Sequence, residues 1–218
     1  MNLAPTELDP SRQMHAEALG KEKGRARLRC RRVVVVGAGQ RDIPENAPPI
    51  GNGRAISVLC AREGAAVACI DVSEAAVADT VASIAREGGT AFAEVADVRD
   101  ASVIAPLVQR CSERLGGLDG LVLNVGISRG LPLAKLTAAS WDDEYAVNVR
   151  SHMLFAQAAL EPMAAGGAIV LMSSLAAHRN TGGNPAYESS KAAQLARRGR
   201  SPSPASRRGS AATPSAPA

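Results

Sequence analysis

The feature of this sequence that most constrains its fold is a repeated alternation between short apolar runs and longer segments of helical character. The first run, Val33–Val36, consists of four consecutive valines and ends in the glycine-rich turn 37–39. A continuous β-branched run of this length is typical of a strand that is buried on both faces, as in a parallel sheet. Further runs that we interpret as strands follow at 66–70, 90–95, 118–123 and 168–172.

Segments with helical spacing separate these runs, and another follows the last one. The predicted helices cover 54–63, 73–87, 100–115, 141–163 and 186–196. Ser140 is expected to cap the long helix that runs from Trp141 to about Met163. Strands that alternate with helices imply right-handed crossovers. The sequence therefore predicts an α/β fold, a Rossmann-type doubly wound parallel sheet with helices on both faces in a three-layer αβα arrangement.

The alternating pattern covers only the middle of the chain, which suggests three parts. Residues 1–31 lack a sustained apolar pattern and are expected to form a flexible leader, whereas residues 32–196 form the α/β domain. Residues 197–218 contain only Arg, Ser, Pro, Ala, Gly and Thr, with five arginines and no acid. Because this tail has no large apolar residue to bury, we expect it to be disordered.

Composition excludes several classes of function. The net charge of +4 comes from basic segments at both ends of the chain, so the domain itself is mildly acidic. Only five residues are aromatic, too few for the stacking platforms of single-strand nucleic-acid binders. We therefore do not expect a nucleic-acid partner, although the arginine-rich tail permits electrostatic binding to anions. No apolar run approaches the roughly 18 residues of a membrane span, and no membrane association is expected.

The four cysteines point to a reducing compartment. They form no C-x-x-C pair and have no metal-ligand spacing, so we predict no metal site. Buried, reduced thiols are the simplest interpretation. Together with the absence of a secretory signal pattern at the N-terminus, they predict a cytoplasmic protein.

Glycines and polar residues follow the first four predicted strands, where ligands of such sheets bind. The candidate residues for cofactor binding are Gly37, Gly39, Gly51, Asn52, Gly53, Asp71, Asp97, Val98, Asn124 and Gly126. Glycines between a strand and a helix allow close approach to a pyrophosphate, which the helix N-terminus attracts. An ordinary strand-to-helix loop is the alternative interpretation of these glycines, and turn formation is the alternative for the Asp and Asn residues.

Asp71 bears on the identity of the cofactor. It lies 20 residues after Gly51, where a carboxylate can accept hydrogen bonds from both adenosine ribose hydroxyls. The same charge repels a 2′-phosphate, so the sequence favours NAD over NADP. A cap for the turn at Ser73 is the alternative role.

Tyr187 and Lys191 carry the strongest chemical signal. At positions i and i+4 they share one face of a helix, and a cation close to a phenol favours the phenolate. Such a pair can donate and accept a proton near neutral pH. Ser174 lies 13 residues upstream, directly after the fifth predicted strand, and Asn148 lies within a helix, an unfavourable position for Asn. An exposed helix face is the alternative for the Tyr–Lys pair alone.

Taken together, these motifs resemble those of the short-chain dehydrogenase/reductase family. The matching residues are Gly37, Gly51-Asn52-Gly53, Asn124-Val125-Gly126, Asn148, Ser173-Ser174 and Tyr187 with Lys191, and the resemblance covers about 33–196. It implies an NAD(P)-dependent oxidoreductase that transfers a hydride between NAD(H) and a small secondary alcohol or ketone. It also implies a homodimer or homotetramer.

The resemblance further assigns roles to four residues. Tyr187 would be the general acid and base, and Ser174 would polarise the substrate oxygen. Lys191 would hold the nicotinamide ribose and tune Tyr187. Asn148 would anchor a water in a proton relay. Tyr187 and Lys191 thus belong to both the catalytic and the cofactor-binding set.

The sequence departs from the family pattern in three places. Val36 replaces the usual Thr before the first glycine, and 13 residues separate Gly37 from Gly51 where the family has three. Beyond Lys191 the pattern changes to the low-complexity tail, which suggests a truncation or a change of reading frame that removes the C-terminal strands. An inactive remnant that at most binds NAD is therefore the alternative to an active enzyme.

Overall fold

The computed structural model describes residue 16 and residues 20–41, 49–179 and 182–195. The predicted tail 197–218 and most of the expanded loop at 40–50 lie outside the described residues. The strands are β1 (Arg32–Val36), β2 (Ala66–Asp71), β3 (Thr90–Val95), β4 (Leu118–Leu123) and β5 (Met163–Leu171). The α-helices are α1 (Asn52–Arg62), α2 (Glu74–Arg86), α3 (Ala101–Leu115), α4 (Ala138–Tyr145), α5 (Ser151–Ala159) and α6 (Pro185–Leu195). A π-helical segment, Ala146–Arg150, joins α4 to α5, and short 3₁₀ turns cover Leu133–Lys135 and Leu175–Ala177.

The strands form one parallel sheet in the order β3-β2-β1-β4-β5. The chain starts in the centre, builds outward to β3 and then crosses to the other side of β1. This is the order of a doubly wound nucleotide-binding sheet, and it confirms the predicted α/β fold. The reversal between β1 and β4 opens a crevice at their carboxyl ends, and four of the predicted cofactor residues line it.

The valine run of β1 shows why this strand is central. Val34 and Val36 belong to the apolar cluster on one face of the sheet, and Val33 and Val35 belong to the cluster on the other face. Successive side chains of a strand point to opposite faces. A strand with no polar face is stable only when helices cover both sides, and here α3 and α5 pack on one side and α1 and α2 on the other.

Two acidic residues bind the basic segment that precedes β1. The backbone N–H groups of Arg25 and Arg27 donate to Glu63 Oε2, and the guanidinium of Arg27 pairs with the same carboxylate. Arg32 and Arg31 pair with Asp119 at the start of β4. The arginines at and before the start of β1 thus connect this strand to the end of α1 and to β4. The predicted boundary at residue 31 stays a prediction.

The helix predicted from Trp141 to about Met163 is interrupted, and it begins and ends earlier than expected. Thr137 is its N-cap, and Ser140 is the reciprocal partner in a capping box rather than the cap. The π-helical turn interrupts the helix at residues 146–150, and α5 ends at Ala159. Strand β5 begins at Met163, earlier than predicted, with an irregular register against β4 between Leu118 and Gly120.

The cysteines are all free, but their environments differ. Cys69 and Cys111 are buried, and desolvation raises their pKa values to about 11 and about 12. Cys60 is half-buried, and Cys30 is exposed in the turn before β1. The expectation of buried thiols is therefore correct for two cysteines and wrong for Cys30. In the part of the chain that is described, no helix combines the length and apolar character needed to cross a bilayer.

Candidate active site

A cavity of about 340 Å³ opens at the carboxyl ends of β1 to β4. Four predicted cofactor residues line it, namely Gly37, Asp71, Asp97 and Val98. Arg41, Arg99 and Arg129 also line it, and sequence reasoning did not single them out. The edge of the sheet where the chain reverses thus provides a concave site with charges of both signs at its wall.

Close packing explains two of the glycines in the loop after β1. Gly37 has a φ of +80°, and a Cβ atom built on it would lie 2.6 Å from the backbone of Val125. A Cβ built on Gly53 would lie 1.8 Å from the carbonyl oxygen of Gly37. The first turn of α1 therefore touches the loop itself. Any side chain at either position would separate the helix from the strand that precedes it.

The other glycines of this loop have different environments. Gly39 donates its N–H to Asp71 Oδ2 at 2.8 Å, and a Cβ there would meet the same carboxylate. Gly51 has ordinary space around it, with no built contact shorter than 3.5 Å. Asn52 is the exposed first residue of α1. The sequence predicts the same cofactor-binding role for all of these positions, but their packing in the structure differs.

Asp71 ends β2 and holds two loops together. Its Oδ2 accepts from Gly39 N at 2.8 Å, and its Oδ1 accepts from Ser73 N at 3.1 Å. Ser73 itself caps α2 through Ala76 N. The turn contact considered from sequence is therefore present. A carboxylate has about four acceptor sites, so two remain for donors that enter the cavity.

The carboxylate of Asp97 is occupied by a neighbour. It accepts hydrogen bonds from the backbone N and the side chain of Arg99, and this hydrogen bonding lowers the pKa of Asp97 below its usual range. Arg99 also reaches Asp143 at 3.4 Å. Val98 lies between the two and is buried. At this position the cavity therefore offers an apolar surface beside an ion pair rather than a free acid.

Asn124 and Gly126 have separate structural roles. The side chain of Asn124 donates from Nδ2 to Gly37 O at 2.7 Å and so fastens the glycine loop to the end of β4. A Cβ built on Gly126 would lie 3.1 Å from Lys191 Nζ and 3.3 Å from Asn148 Oδ1. The missing side chain at Gly126 therefore leaves room for two of the predicted catalytic residues to meet.

Asn148 lies in the π-helical turn and is fully buried. Its Oδ1 accepts from Ile127 N, and its Nδ2 donates to Ile127 O, both at 2.8 Å. A second Nδ2 hydrogen bond reaches Ser190 Oγ at 3.0 Å. The side-chain amide therefore connects the loop after β4 to α6. π-Helical turns are frequent at functional sites.

Lys191 is buried within α6 beside Tyr187. Its Nζ donates to Met172 O at 2.9 Å and lies 5.7 Å from the centre of the Tyr187 ring. Desolvation lowers the pKa of Lys191 to about 8. The predicted proximity of the phenol and the ammonium is present, and burial brings the lysine close to the pH range in which it can lose its proton.

The two serines after β5 face different partners. Ser173 Oγ donates to Lys191 O at 3.0 Å, whereas Ser174 Oγ accepts from Ala176 N at 3.2 Å and caps a short turn. Tyr187 is half-buried, and its backbone carbonyl accepts from Ser190 Oγ. A direct approach of Ser174 to the Tyr187 hydroxyl stays a prediction.

Several buried polar residues near the site were missed by sequence reasoning. They are Glu144, Ser151, His152, Ser190 and Gln194. One signal was available, because Ser190 and Gln194 follow Tyr187 at the i+3 and i+7 positions of a helix face. The same face carries Lys191 at i+4, so a complete polar stripe stands where an inward-facing stripe is normally apolar.

The comparisons with known proteins agree with this geometry. A family model described as short chain dehydrogenase matches residues 47–197. The sequence is 35% identical over 189 residues to a Mycobacterium tuberculosis protein named "Probable oxidoreductase EphD", covering 80% of this chain and 30% of that protein. It is 36% identical over 146 residues to the cyclopentanol dehydrogenase of Comamonas sp., covering 66% of this chain and 58% of that enzyme.

A solved structure shows the same architecture. It is a short chain dehydrogenase from Burkholderia cenocepacia J2315 in complex with NADP, at 35% identity and a TM-score of 0.71. The match covers 78% of this chain and 66% of that one. The chain thus spans less than two thirds of the length of these relatives.

Proposed function

Because the chain belongs to the short-chain dehydrogenase/reductase family, we propose that it is an NAD-dependent oxidoreductase that interconverts a secondary alcohol and a ketone. The observation that carries the proposal is the meeting of Lys191 and Asn148 at the open space beside Gly126, with Tyr187 one helical turn before the lysine. Gly126, Asn148 and the Tyr187–Lys191 pair come from three separate parts of the chain, namely the loop after β4, the π-helical turn and α6. A chance arrangement on an exposed helix face would not bury them together.

The cofactor fit rests on the glycine loop and the adjoining cavity. Gly53 and Asn124 both contact the carbonyl of Gly37, so the first turn of α1 lies next to a residue of the cavity wall. A helix N-terminus attracts a pyrophosphate. The relative from B. cenocepacia binds NADP, yet the Asp71 carboxylate at the cavity wall favours ribose hydroxyls over a 2′-phosphate. We therefore retain NAD as the proposed cofactor.

Proton transfer is assigned to residues of the chain. A bound nicotinamide supplies the hydride acceptor and donor. Tyr187 Oη takes the proton of the alcohol or returns it to the carbonyl oxygen, and Ser174 Oγ donates to that oxygen and orients it. Lys191 holds positive charge next to the phenol and binds the nicotinamide ribose. Asn148 anchors a water in the path by which the proton reaches solvent.

The remaining sequence-based expectations stay predictions. They are the domain limits 1–31, 32–196 and 197–218, a cytoplasmic location, and a homodimer or homotetramer. The substrate is expected to be a small alcohol or carbonyl compound, since the Comamonas relative is named for a cyclic alcohol.

The proposal is tested with the purified chain, NADH, NADPH and a panel of cyclic and acyclic secondary alcohols and ketones. We expect tighter binding of NADH than of NADPH, and turnover that falls by about 10² to 10⁴-fold in Tyr187→Phe. Tyr145→Phe is the matched control, because that hydroxyl donates to Ser189 Oγ and not to a predicted catalytic residue. Cofactor binding without turnover on the whole panel would support the inactive remnant instead.

A further inference from the structure

The inward face of α6 carries several buried polar residues beside the buried Ala186. Ser190, Lys191 and Gln194 are all buried and follow Tyr187 at helical spacing. Opposite them lie Asn148 in the π-helical turn and His152 in the first turn of α5, both fully buried. Buried polar groups are stable only when their hydrogen bonds are satisfied. The hydrogen-bond partners of these groups therefore determine how α6 packs against the π-helical turn and α5.

The hydrogen bonds of His152 determine its tautomer. Its Nε2 lies 2.9 Å from the carbonyl oxygen of Val125, which can only accept. The proton of a neutral imidazole is therefore on Nε2, which leaves Nδ1 as an acceptor. The side-chain nitrogen of Gln194 lies 3.2 Å from Nδ1 and donates to it. Histidine thus acts as a bridge with one donating and one accepting side.

The second N–H of the Gln194 side chain forms a hydrogen bond with the backbone of Asn148. Its Nε2 donates to Asn148 O at 3.1 Å, a carbonyl of the π-helical turn. Its Oε1 is buried and has no hydrogen-bond partner among the described residues. A flipped amide would place this oxygen against the Asn148 carbonyl, so the observed orientation is the only one that satisfies both contacts.

The bridge ends at the glycine loop. Val125, which accepts from His152, is the residue whose backbone packs against Gly37. A continuous set of contacts therefore runs from the loop after β1, through Val125, His152 and Gln194, to the helix that carries Tyr187 and Lys191.

We infer that Gln194 and His152 are positioning residues that hold α6, and with it Tyr187 and Lys191, at a constant distance from the loop after β4. This role rests on the proposed oxidoreductase function. Neither residue needs to touch the substrate. A displacement of about 1 Å between reacting groups can lower the rate about 10²-fold, so a bridge between the two halves of the site has a direct kinetic effect.

Gln194→Met, which keeps the side-chain length but removes the donors, tests the kinetic effect. We expect kcat to fall by about tenfold to a hundredfold, with the dissociation constant of NADH within about twofold of the wild-type value. Gln194→Leu serves as a second variant that cannot donate. The matched control is Gln157→Met, the same change at an exposed position of α5. His152→Gln keeps a donor and an acceptor and should retain more activity than His152→Leu.

Two further measurements are independent of turnover. We expect ¹⁵N NMR at pH 7 to show His152 as the neutral tautomer protonated on Nε2, with its signal identified by its loss in His152→Gln. Hydrogen exchange of the α6 amides should be faster in Gln194→Met than in Gln157→Met. A proton on Nδ1, unchanged α6 exchange, or an unchanged kcat in Gln194→Met would overturn the inference. Absence of wild-type turnover on the whole panel would instead reject the proposed function. The NMR and exchange measurements would then still test the hydrogen bonds of His152 and Gln194.

Discussion

Lys191 is a charged side chain that is only 4% exposed. Its Nζ donates to the backbone carbonyl of Met172, and burial lowers its pKa to about 8. The i, i+4 spacing to Tyr187 predicts that the two side chains are neighbours but says nothing about burial. The surrounding π-helical turn, β5 and α6 together remove the ammonium from water, and this sets its proton affinity.

Replacement of Lys191 by Met should therefore separate activity from stability. Turnover should be lost, whereas the free energy of unfolding at pH 7 should not fall, because the substitution removes an ammonium whose burial is unfavourable. Because the folded-state pKa of about 8 lies below the usual value of 10.5, the stability contributed by the neutral lysine is absent below pH 8 and grows as the pH rises toward 10.5. Urea unfolding from pH 7 to 10 should show wild type gaining about 1 to 3 kcal/mol relative to Lys191→Met. A constant difference would contradict this.

At the level of elements, the junction between β1 and α1 depends on contact rather than on flexibility alone. The loop between them is expanded, yet its two ends meet as closely as in a short turn. Gly37 and Gly53 are in van der Waals contact through the carbonyl of the first and the Cα of the second. The sequence places four glycines around this loop, and only packing identifies which of them tolerate a side chain.

The variants Gly53→Ala and Gly51→Ala should behave differently although they lie two residues apart. The first forces a methyl group to within 1.8 Å of Gly37 O and should lower the free energy of unfolding by more than about 2 kcal/mol. The second meets only ordinary contacts at the N-cap of α1 and should cost less than about 1 kcal/mol. Chemical denaturation of the two proteins gives the comparison. Equal losses would show that the loop relaxes and that the contact is unimportant.

At the level of the whole molecule, polar clamps at the amino ends of the central strands complement the site at their carboxyl ends. Asp119 accepts from the backbone N–H and the guanidinium of Arg32, so β4 and β1 are connected where they begin. Arg31 adds a further contact to the same carboxylate. These hydrogen bonds lower the pKa of Asp119 to about 2.

Acid stability should reflect this clamp. Replacement of Asp119 by Asn should cost about 1 to 2 kcal/mol near neutral pH. The advantage of the wild type should be complete above the ordinary aspartate pKa of 3.8 and should vanish as the pH falls through about 2. The exposed Asp142→Asn is the control, and thermal unfolding between pH 2 and 7 is the measurement. A stability difference between wild type and Asp119→Asn that does not change with pH would show that Asp119 stabilises the fold through packing rather than through its charge.

Strand and helix positions could be predicted in large part because they depend on local periodicity. The valine run of β1 and the alternation after it predict a parallel sheet, and the structure confirms it. The break at Ala146–Arg150 could not be predicted, since a π-helical turn inserts only one residue and no Gly or Pro marks the position. The capping error at Ser140 has a similar origin, because Thr137 and Ser140 are both good caps and only the geometry of the turn distinguishes them.

For the candidate site, sequence spacing predicted contacts between residues of the same helix, such as Tyr187 and Lys191, which are four residues apart. It missed His152 and Gln194, because the sequence does not show which distant helix a polar side chain contacts. The polar stripe on α6 was a visible signal, but its meaning depends on what lies opposite.

By itself, the sequence determined the family and the parallel α/β architecture, since these follow from residue type and local period, and it predicted the groups that we propose for proton transfer. Only the tertiary structure decided the strand order, which glycines cannot carry a side chain, and which of the polar groups are buried against one another. Those properties arise from contacts between segments tens of residues apart, and the free energy of such contacts depends on distances that local sequence does not encode.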